Sequence, residues 1–302
     1  MTATPLQGQV ALVAGATRGA GRAIAVELAR AGAFVYATGR SSRVHGRSEI
    51  GRAETIEETG EMVEAAGDGV ALRVDHLEPD EVRALVTRIE AERGRLDLLV
   101  NDIFGGDRYA QFETRLWEHD LAGGLRMLEM GVHTHLITAA TALPLMLKGG
   151  RGLVVEMTDG THEYNRAYRE GVGFYYDLVK ANVERILIGL TAELRDTGVT
   201  AMAVTPGWLR SEAMLDHFGV TEETWRDALE RVQGFGISET PTYVARGVAG
   251  LAADPDLSRY AGQALSAHQL AIAYDVTDVD GSRPDAWGYI TSGRPDNVED
   301  YR

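Results

Sequence analysis

Short apolar runs alternate along most of the chain with segments whose apolar positions recur every three or four residues. Runs of mostly apolar and β-branched residues are typical of strands buried within a sheet. They predict seven strands, at residues 9–14, 33–38, 70–74, 96–100, 153–157, 199–204 and 263–266.

The segments between the runs have the spacing of amphipathic helices. This spacing covers residues 22–29, 54–66, 81–92, 116–147, the stretch from 174 onward, and 242–253. Alternating strands and helices predict a parallel sheet with right-handed crossovers. We therefore expect residues 1–302 to form a single α/β domain with a three-layer, doubly wound parallel sheet of the Rossmann type. Its core would span about residues 8–270.

Three segments depart from this alternation. Residues 41–51 are polar and aperiodic and predict a loop, and residues 275–302 form a polar, turn-rich tail. The segment 214–233 is rich in large apolar groups, including Phe218 and Trp225. We expect a helical lid over the substrate at about residues 208–236, closed by these two aromatic side chains. The alternative is a packed surface helix.

The composition of the chain limits the classes of function that it can have. The chain of 302 residues is 44% hydrophobic, has no cysteine and carries a formal net charge of −15. The lack of cysteine excludes disulfides and thiolate metal sites. The negative charge argues against nucleic acids and anionic membrane surfaces as partners. The apolar run at 136–147 is too short to span a bilayer, and we see no signal peptide, so a cytoplasmic protein is expected.

Two histidines in the long helical segment, His133 and His135, lie two positions apart. Side chains at that spacing do not share a helical face. We therefore expect structural or surface histidines and no metal site.

A glycine-rich turn directly follows the first predicted strand. Gly15, Thr17, Arg18, Gly19 and Gly21 lie in this turn, and a helical pattern begins at residue 22. Glycines let backbone N–H groups approach a pyrophosphate, and the helix N-terminus adds partial positive charge. The order strand, glycine turn and helix therefore predicts a dinucleotide phosphate site, although the spacing is Gly-x-x-x-Gly-x-Gly.

The end of the second strand bears on the choice of cofactor. Enzymes that prefer NAD usually carry an acid there for the ribose 2′-hydroxyl. This chain has Arg40 instead, and Arg18 lies in the glycine turn. Two guanidinium groups suit a 2′-phosphate, which favours NADP(H). The alternative is a pair of solvated surface arginines.

Tyr176 and Lys180 lie four positions apart in a segment that we expect to be helical from Phe174. Residues at that spacing share a helical face. A free tyrosine has a pKa of about 10, and a fixed ammonium group favours its phenolate form. The pair therefore suits proton transfer, although it also fits an amphipathic helix with a core tyrosine and a surface lysine.

Taken together, the motifs resemble the short-chain dehydrogenase/reductase superfamily over roughly residues 8–270. The resemblance is carried by GATRGAG at Gly15, VDH at Asp75, VNDIFGG at Asn101, YDLVK at Tyr176 and TPGWLRS at Pro206. The VNDIFGG form, the interrupted helix after it and the LRSE sequence are similar to an atypical branch, the dehydrogenase/reductase member 1-like proteins.

The resemblance implies residue roles in the cofactor site. The three glycines of the turn would cradle the pyrophosphate. Asp75 would hold the adenine with help from His76, and Asn101 would support the fourth strand and the cofactor ribose. Pro206 and Gly207 would flank the nicotinamide.

The resemblance also implies the catalytic roles. Tyr176 would act as acid or base on the substrate oxygen. Lys180 would bind the nicotinamide ribose and lower the pKa of Tyr176. The family further implies a homodimer or homotetramer joined by the long helices after strands four and five.

The sequence departs from the family pattern at the catalytic serine. Thr158 and Asp159 stand where two serines are common, Asp159 takes the place of the catalytic serine, and the loop that follows is about four residues longer than usual. Asp159 could be protonated and donate, could turn away while Thr158 supplies a hydroxyl, or could bind an amine or hydroxyl of the substrate. We favour the third. A cap of the following turn is the structural alternative.

A second departure is Gly131, which stands where the family places a helix asparagine that completes its proton relay.

The function predicted first is an NADP(H)-dependent carbonyl reductase or alcohol dehydrogenase acting on a small molecule. The second is an NADP(H)-binding, non-redox or sensor-like homologue, and a lyase or isomerase on the same fold is the third.

Overall fold

A seven-stranded, all-parallel sheet forms the centre of the molecule in the computed structural model, which describes residues 4–293 and 297–302. The strand order is β3-β2-β1-β4-β5-β6-β7. The strands are β1 Val10–Ala14, β2 Phe34–Gly39, β3 Asp68–Arg73, β4 Leu98–Asn101, β5 Gly152–Met157, β6 Val199–Thr205 and β7 Ala264–Ser266. All seven predicted strands are confirmed. The order reverses between β1 and β4, which is where doubly wound sheets bind ligands.

Helices cover both faces of the sheet, as predicted. They are α1 Gly19–Arg30, α2 Ile56–Ala66, α3 Pro79–Arg93, α4 Leu121–Leu128, α5 Thr134–Gly149, α6 His162–Asn165, α7 Phe174–Glu193, α8 Glu212–Phe218, α9 Pro241–Ala252, α10 Ala267–Tyr274 and α11 Ala286–Thr291. One apolar core lies between the sheet and α1, α2, α9 and α10. A second lies between the sheet and α3, α5 and α7. The three-layer architecture is therefore confirmed.

The long helical segment after β4 changes its geometry at Gly131. Helix α4 runs into a π-helical turn, Glu129–His133, which continues directly as α5. The combined stretch Leu121–Gly149 is long and apolar enough to cross a membrane by length and composition alone. Half of its most apolar window is buried inside the molecule, as in the core helix of a globular domain.

The segment after β6 consists of α8 and two 3₁₀ helices, Trp225–Glu230 and Gln233–Ile237. Phe218 and Trp225 are buried in a small apolar cluster of this segment together with Phe235. The expectation that these two side chains close over a ligand is wrong in this conformation, because they form the segment's own core. Trp208, at the start of the segment, joins this cluster and faces the main cavity.

The tail is more ordered than the sequence indicated. Within it, α11 places Trp287 and Ile290 against the main cavity. The indole Nε1 of Trp287 donates to the carbonyl oxygen of Pro206 at 2.9 Å. The tail is thus attached to the turn that follows β6.

Candidate active site

A cavity of about 550 Å³ opens at the carboxyl ends of the strands. Its lining includes both the glycine turn and the Tyr176 helix. Thirteen of the fifteen residues predicted for the site line it, namely Gly15, Thr17, Arg18, Gly19, Arg40, Asp75, His76, Thr158, Asp159, Tyr176, Lys180, Pro206 and Gly207. Gly21 and Asn101 do not. Residues distant in sequence therefore meet in one cleft.

The glycine turn packs against the backbone that follows β4. Gly15 has φ +93°, and a Cβ there would lie 2.2 Å from the carbonyl oxygen of Asp102. A Cβ on Gly21 would lie 2.5 Å from the carbonyl oxygen of Gly15. No other residue fits these positions. The close packing directs the N-terminus of α1 toward the cavity, so the residues fit a bound pyrophosphate.

One amide of this turn already has an acidic partner. The N–H of Gly19 donates to Glu212 Oε2 at 2.9 Å, and Arg22 Nη1 lies 3.3 Å from the other carboxylate oxygen. Glu212 begins α8, so this contact ties the segment after β6 to the phosphate site. The Gly19 amide is therefore engaged by a side chain in this structure.

The guanidinium group of Arg40 lies between two acids. Its Nη1 is 3.7 Å from Glu49 and 3.7 Å from Asp75, and its side chain is 19% exposed. Arg18 lines the same cavity, and burial lowers its pKa from the ordinary value. Both arginines therefore face the cleft. They are not the solvated surface side chains of the alternative interpretation.

His76 does not present a polar edge to the cavity, contrary to the role implied for it. Its Nε2 lies 2.8 Å from Thr38 Oγ1 and its Nδ1 lies 2.7 Å from Thr138 Oγ1. Burial lowers the pKa of His76 to about 4. The neutral imidazole ring therefore joins β2 to α5. Of the VDH motif, only Asp75 offers a polar group to the cavity.

Asn101 supports the fourth strand, as the resemblance implied, but it does not line the cavity where a cofactor ribose would lie. It is fully buried, and its Nδ2 donates to Glu156 Oε1 at 2.8 Å. Glu156 Oε2 is 2.5 Å from His135 Nδ1, and His135 Nε2 lies 3.0 Å from the carbonyl oxygen of Ile103. Burial opposes the charged form of His135, but Glu156 outweighs it and raises its pKa. Asn101 thus supports the strand from behind the cavity.

Asp102 lines the cavity, although no sequence motif assigned it a role. Successive side chains of a strand point to opposite faces, so the residue after the buried Asn101 turns to the cleft. Burial raises the pKa of Asp102 to about 7, against the opposing effect of Lys180. A Cβ on Gly21 would lie 2.9 Å from Asp102 Oδ2, so this carboxyl group packs closely against the glycine turn. Asp102 therefore supports the glycine turn from below.

Tyr176 and Lys180 lie one turn apart on α7 and both face the cavity, as the spacing predicted. Lys180 Nζ lies 3.8 Å from the ring centroid of Phe104 and 5.5 Å from that of Tyr176. The pKa of Tyr176 is raised well above 10, first by burial and then by Asp159. This differs from the expected lowering, because burial and, after it, the nearby Asp159 both disfavour the phenolate.

Asp159 faces the tyrosine. Its Oδ2 accepts a hydrogen bond from the Tyr176 hydroxyl at 3.3 Å. Thr158 is buried, and its hydroxyl lies 3.5 Å from the carbonyl oxygen of Lys180. The alternative in which Thr158 supplies the hydroxyl while Asp159 turns away is therefore wrong for this conformation.

The loop after β5 contributes Arg169, which the sequence did not single out. Its Nη1 donates to the carbonyl oxygen and to Oδ2 of Asp159, both at 3.2 Å, and its Nε donates to Asp177 Oδ1 at 3.0 Å. The guanidinium carbon lies 5.8 Å from the ring centroid of Tyr176. An arginine in an aperiodic loop cannot be recognised from the spacing of apolar residues. The unusual length of this loop is the sequence feature that indicates additional residues at the site.

Gly131 lies in the π-helical turn and lines the cavity. A Cβ there would meet Val179 Cγ1 at 2.4 Å and Phe104 Cδ2 at 3.1 Å. An asparagine therefore has no room at this position, and the departure from the family pattern is built into the packing.

Comparison with known proteins agrees with this geometry. Residues 15–267 match the sequence profile of the family described as "Enoyl-(Acyl carrier protein) reductase". The chain belongs to the short-chain dehydrogenase/reductase family. It is 31% identical over 286 residues to Dehydrogenase/reductase SDR family member 1 of Mus musculus, a match that covers 92% of this chain and 85% of the mouse protein. The resemblance to that branch is confirmed.

Two solved structures share the fold. A crystal structure from Xanthomonas campestris has a TM-score of 0.73 at 24% identity and covers 93% of this chain and 95% of its own. A metagenomic short-chain oxidoreductase in complex with NADP has a TM-score of 0.62 at 23% identity and covers 84% of this chain and 94% of its own. Members of the short-chain dehydrogenase/reductase family are oxidoreductases that bind a nicotinamide cofactor and act on small molecules.

Proposed function

We propose that this chain is an NADP(H)-dependent oxidoreductase that transfers a hydride between the nicotinamide and a small carbonyl or alcohol substrate. The observation that carries the proposal is the placement of Tyr176 and Lys180. They lie one helical turn apart and line the same cavity as the glycine turn at the N-terminus of α1. A proton-transfer pair and a phosphate cradle in one cleft suit this chemistry.

The choice of NADP(H) rests on the two guanidinium groups at the adenosine end of the cleft. Arg18 and Arg40 both line the cavity there, and a 2′-phosphate would give them an anionic partner. The metagenomic family member was solved with NADP. Arg40 would then exchange part of its pairing with Glu49 and Asp75 for the phosphate.

Each site residue has a part in this mechanism. NADP(H), when bound, supplies or accepts the hydride. The glycine-turn backbone would hold its pyrophosphate, Lys180 its nicotinamide ribose, and Pro206 and Gly207 would flank its ring. Tyr176 would donate a proton to the carbonyl oxygen during reduction and accept one from the alcohol during oxidation. Lys180 would stabilise the phenolate whenever the tyrosine acts as base.

The test is turnover of a panel of ketones and aldehydes with NADPH, alongside cofactor binding followed by fluorescence. Turnover that depends on Tyr176 supports the proposal. Tight binding of NADPH with no turnover of any member of the panel contradicts it.

A second candidate function has an observation of its own. The Tyr176 hydroxyl donates to Asp159, and Gly131 leaves no room for the relay asparagine. Both features are compatible with a homologue that binds NADP(H) without hydride transfer, as a sensor would. The same experiment separates the two, because a sensor retains cofactor affinity without turnover.

Assembly, location and lid movement complete the proposal. We expect a cytoplasmic homodimer or homotetramer joined through α4, α5 and α7, where Leu125, Leu136 and Ile188 are about half exposed. Light scattering that gives a monomer at micromolar concentration would contradict this assembly.

We also expect residues 214–236 to gain protection from hydrogen exchange when cofactor and ligand bind. Unchanged protection at saturation would exclude a lid.

A further inference from the structure

The two carboxylate oxygens of Asp159 have different surroundings. Oδ2 is shared by the Tyr176 hydroxyl at 3.3 Å and by Arg169 Nη1 at 3.2 Å. Within residues 4–293 and 297–302, Oδ1 makes no hydrogen bond or ion pair. The side chain is 39% exposed and lines the cavity. A hydrogen-bond acceptor is therefore available beside the hydroxyl that would act on the substrate.

Arg169 holds this carboxylate in place. Its side chain is 5% exposed and pairs with both Asp159 and Asp177. Two acids around one buried guanidinium group fix its plane, and the guanidinium in turn holds the carboxylate of Asp159 in place. A carboxylate can only accept hydrogen bonds. The site thus offers an oriented acceptor where the family pattern has a donor.

Capping of the turn after β5 does not account for Asp159. In the part of the chain that the structure describes, the amide of Gly160 donates to Thr205 Oγ1 at 2.9 Å. No backbone amide there donates to the carboxylate of Asp159. The free oxygen is therefore not used by the local backbone.

We propose that Asp159, positioned by Arg169, is a specificity-determining residue that selects substrates with a hydroxyl or protonated amine on the carbon next to the reacting carbon. The proposal rests on the proposed redox function and names its substrate class. Tyr176 would bind the reacting oxygen, and Oδ1 of Asp159 would accept the hydrogen bond of the neighbouring group. Oδ1 belongs to the same carboxylate as Oδ2, which lies 3.3 Å from the phenol oxygen. The free acceptor is therefore close enough to meet a group on the carbon next to the reacting carbon.

The reaction itself is unchanged by this recognition. In reduction the carbonyl carbon receives the hydride, the C=O π bond opens, and the carbonyl oxygen receives the Tyr176 proton. The neighbouring hydroxyl or amine keeps all its atoms. The rest of the substrate would meet apolar surface, because Phe104, Trp208 and Trp287 line the same cavity. The substrate class that fits this lining has an apolar chain and a hydrogen-bond donor on the carbon next to the carbonyl carbon.

The test compares matched substrates of one carbon skeleton: a 2-alkanone, its 1-hydroxy derivative and its 1-amino derivative, each with NADPH and the full chain. A site that bonds a substrate hydroxyl rejects analogues that lack it, by up to about 10⁴-fold when the site is dry. For the half-exposed Asp159 we expect kcat/KM to favour the hydroxyketone by about 10- to 100-fold. Asp159→Ser should bring this ratio to within about 3-fold of one.

Asp159→Asn is the matched control, because its amide keeps an acceptor oxygen but has no charge. It should retain part of the preference for the hydroxyketone and lose the preference for the aminoketone. Cofactor affinity reports that each variant is folded. A hydroxyketone preference that is the same in the wild type and Asp159→Ser overturns the proposal.

Failure of the inference is distinguishable from failure of the proposed function. If the wild type reduces the plain ketone as well as its hydroxy and amino derivatives, the substrate class is wrong and the redox function stands. If NADPH binds and no ketone is reduced, the redox function fails and this proposal fails with it.

Discussion

The hydroxyl of Tyr176 donates a hydrogen bond to Asp159 Oδ2 across 3.3 Å. An acid at this distance stabilises the neutral phenol and opposes its ionisation. The nearby guanidinium group of Arg169 acts in the opposite sense on the pKa of Tyr176. The pKa of the proposed catalytic residue therefore depends on burial and on two opposed charges, Asp159 and Arg169, that both lie between β5 and α7.

Removal of Arg169 should shift the pH dependence of the reaction. Because Arg169 lowers the pKa of Tyr176, Arg169→Gln should raise that pKa further. Alcohol oxidation requires the phenolate, so its rate should rise with pH at more alkaline values than in the wild type. The measurement is the pH profile of kcat for oxidation in both proteins. Arg169→Lys keeps a cation, so its pH profile should lie between those of the wild type and Arg169→Gln. An Arg169→Gln profile equal to that of the wild type would show that Arg169 does not lower the pKa of Tyr176.

Arg40→Asp tests the cofactor preference. The added acid should repel a 2′-phosphate and accept from a 2′-hydroxyl, so the ratio of NADP(H) to NAD(H) affinity should fall by at least about 10-fold, which corresponds to about 1.4 kcal/mol. Arg43→Asp is the control, because Arg43 is exposed, pairs with Glu61 and lies outside the cavity lining. An unchanged ratio in Arg40→Asp would mean that Arg40 does not recognise the phosphate.

Asp102 should make the fold less stable as the pH rises. Its pKa in the folded chain is about 7, against an ordinary 3.8. Only the unfolded chain releases this proton between those values, so the free energy of unfolding declines as pH rises from about 4 to 7 and then levels off. The full difference corresponds to at most about 4 kcal/mol.

Asp102→Asn should remove that decline, since an amide of nearly the same shape does not ionise. Urea unfolding at pH 5 and pH 8 measures the effect, and the variant should gain stability over the wild type chiefly at pH 8. Asp68→Asn, at an exposed position at the start of β3, is the control. Equal pH dependence in wild type and Asp102→Asn would show that the buried acid is not the cause.

Gly131→Ala tests the packing that excludes the relay asparagine. The new methyl group would lie 2.4 Å from Val179 Cγ1, and overpacking of this kind costs about 1–3 kcal/mol. Gly149→Ala is the matched control, because a Cβ there meets nothing within 4 Å. That change should be neutral or stabilising by up to about 1 kcal/mol. Thermal unfolding of both variants gives the comparison, and equal stability would refute the steric account.

The features that sequence predicted best are local ones. Strands, helices, the glycine turn and the shared face of Tyr176 and Lys180 depend on spacing within a few residues, and the sheet order follows from alternation and crossover handedness. The contacts of Arg169 and Trp287 could not be predicted, because they depend on how an aperiodic loop and a polar tail fold back on the cavity. His76 and Asn101 were placed by analogy, and their buried partners Thr138 and Glu156 lie far away in sequence.

The most direct test of the proposed function is label transfer. NADPH carrying deuterium at nicotinamide C4 is incubated with the full chain and a panel of ketones that includes the hydroxyketone, and the alcohol product is analysed by mass spectrometry. We predict deuterium on the carbinol carbon in the wild type, with a rate at least about 100-fold lower in Tyr176→Phe at unchanged cofactor affinity. Binding of NADPH without label in any product, or equal transfer by Tyr176→Phe, would contradict the proposal.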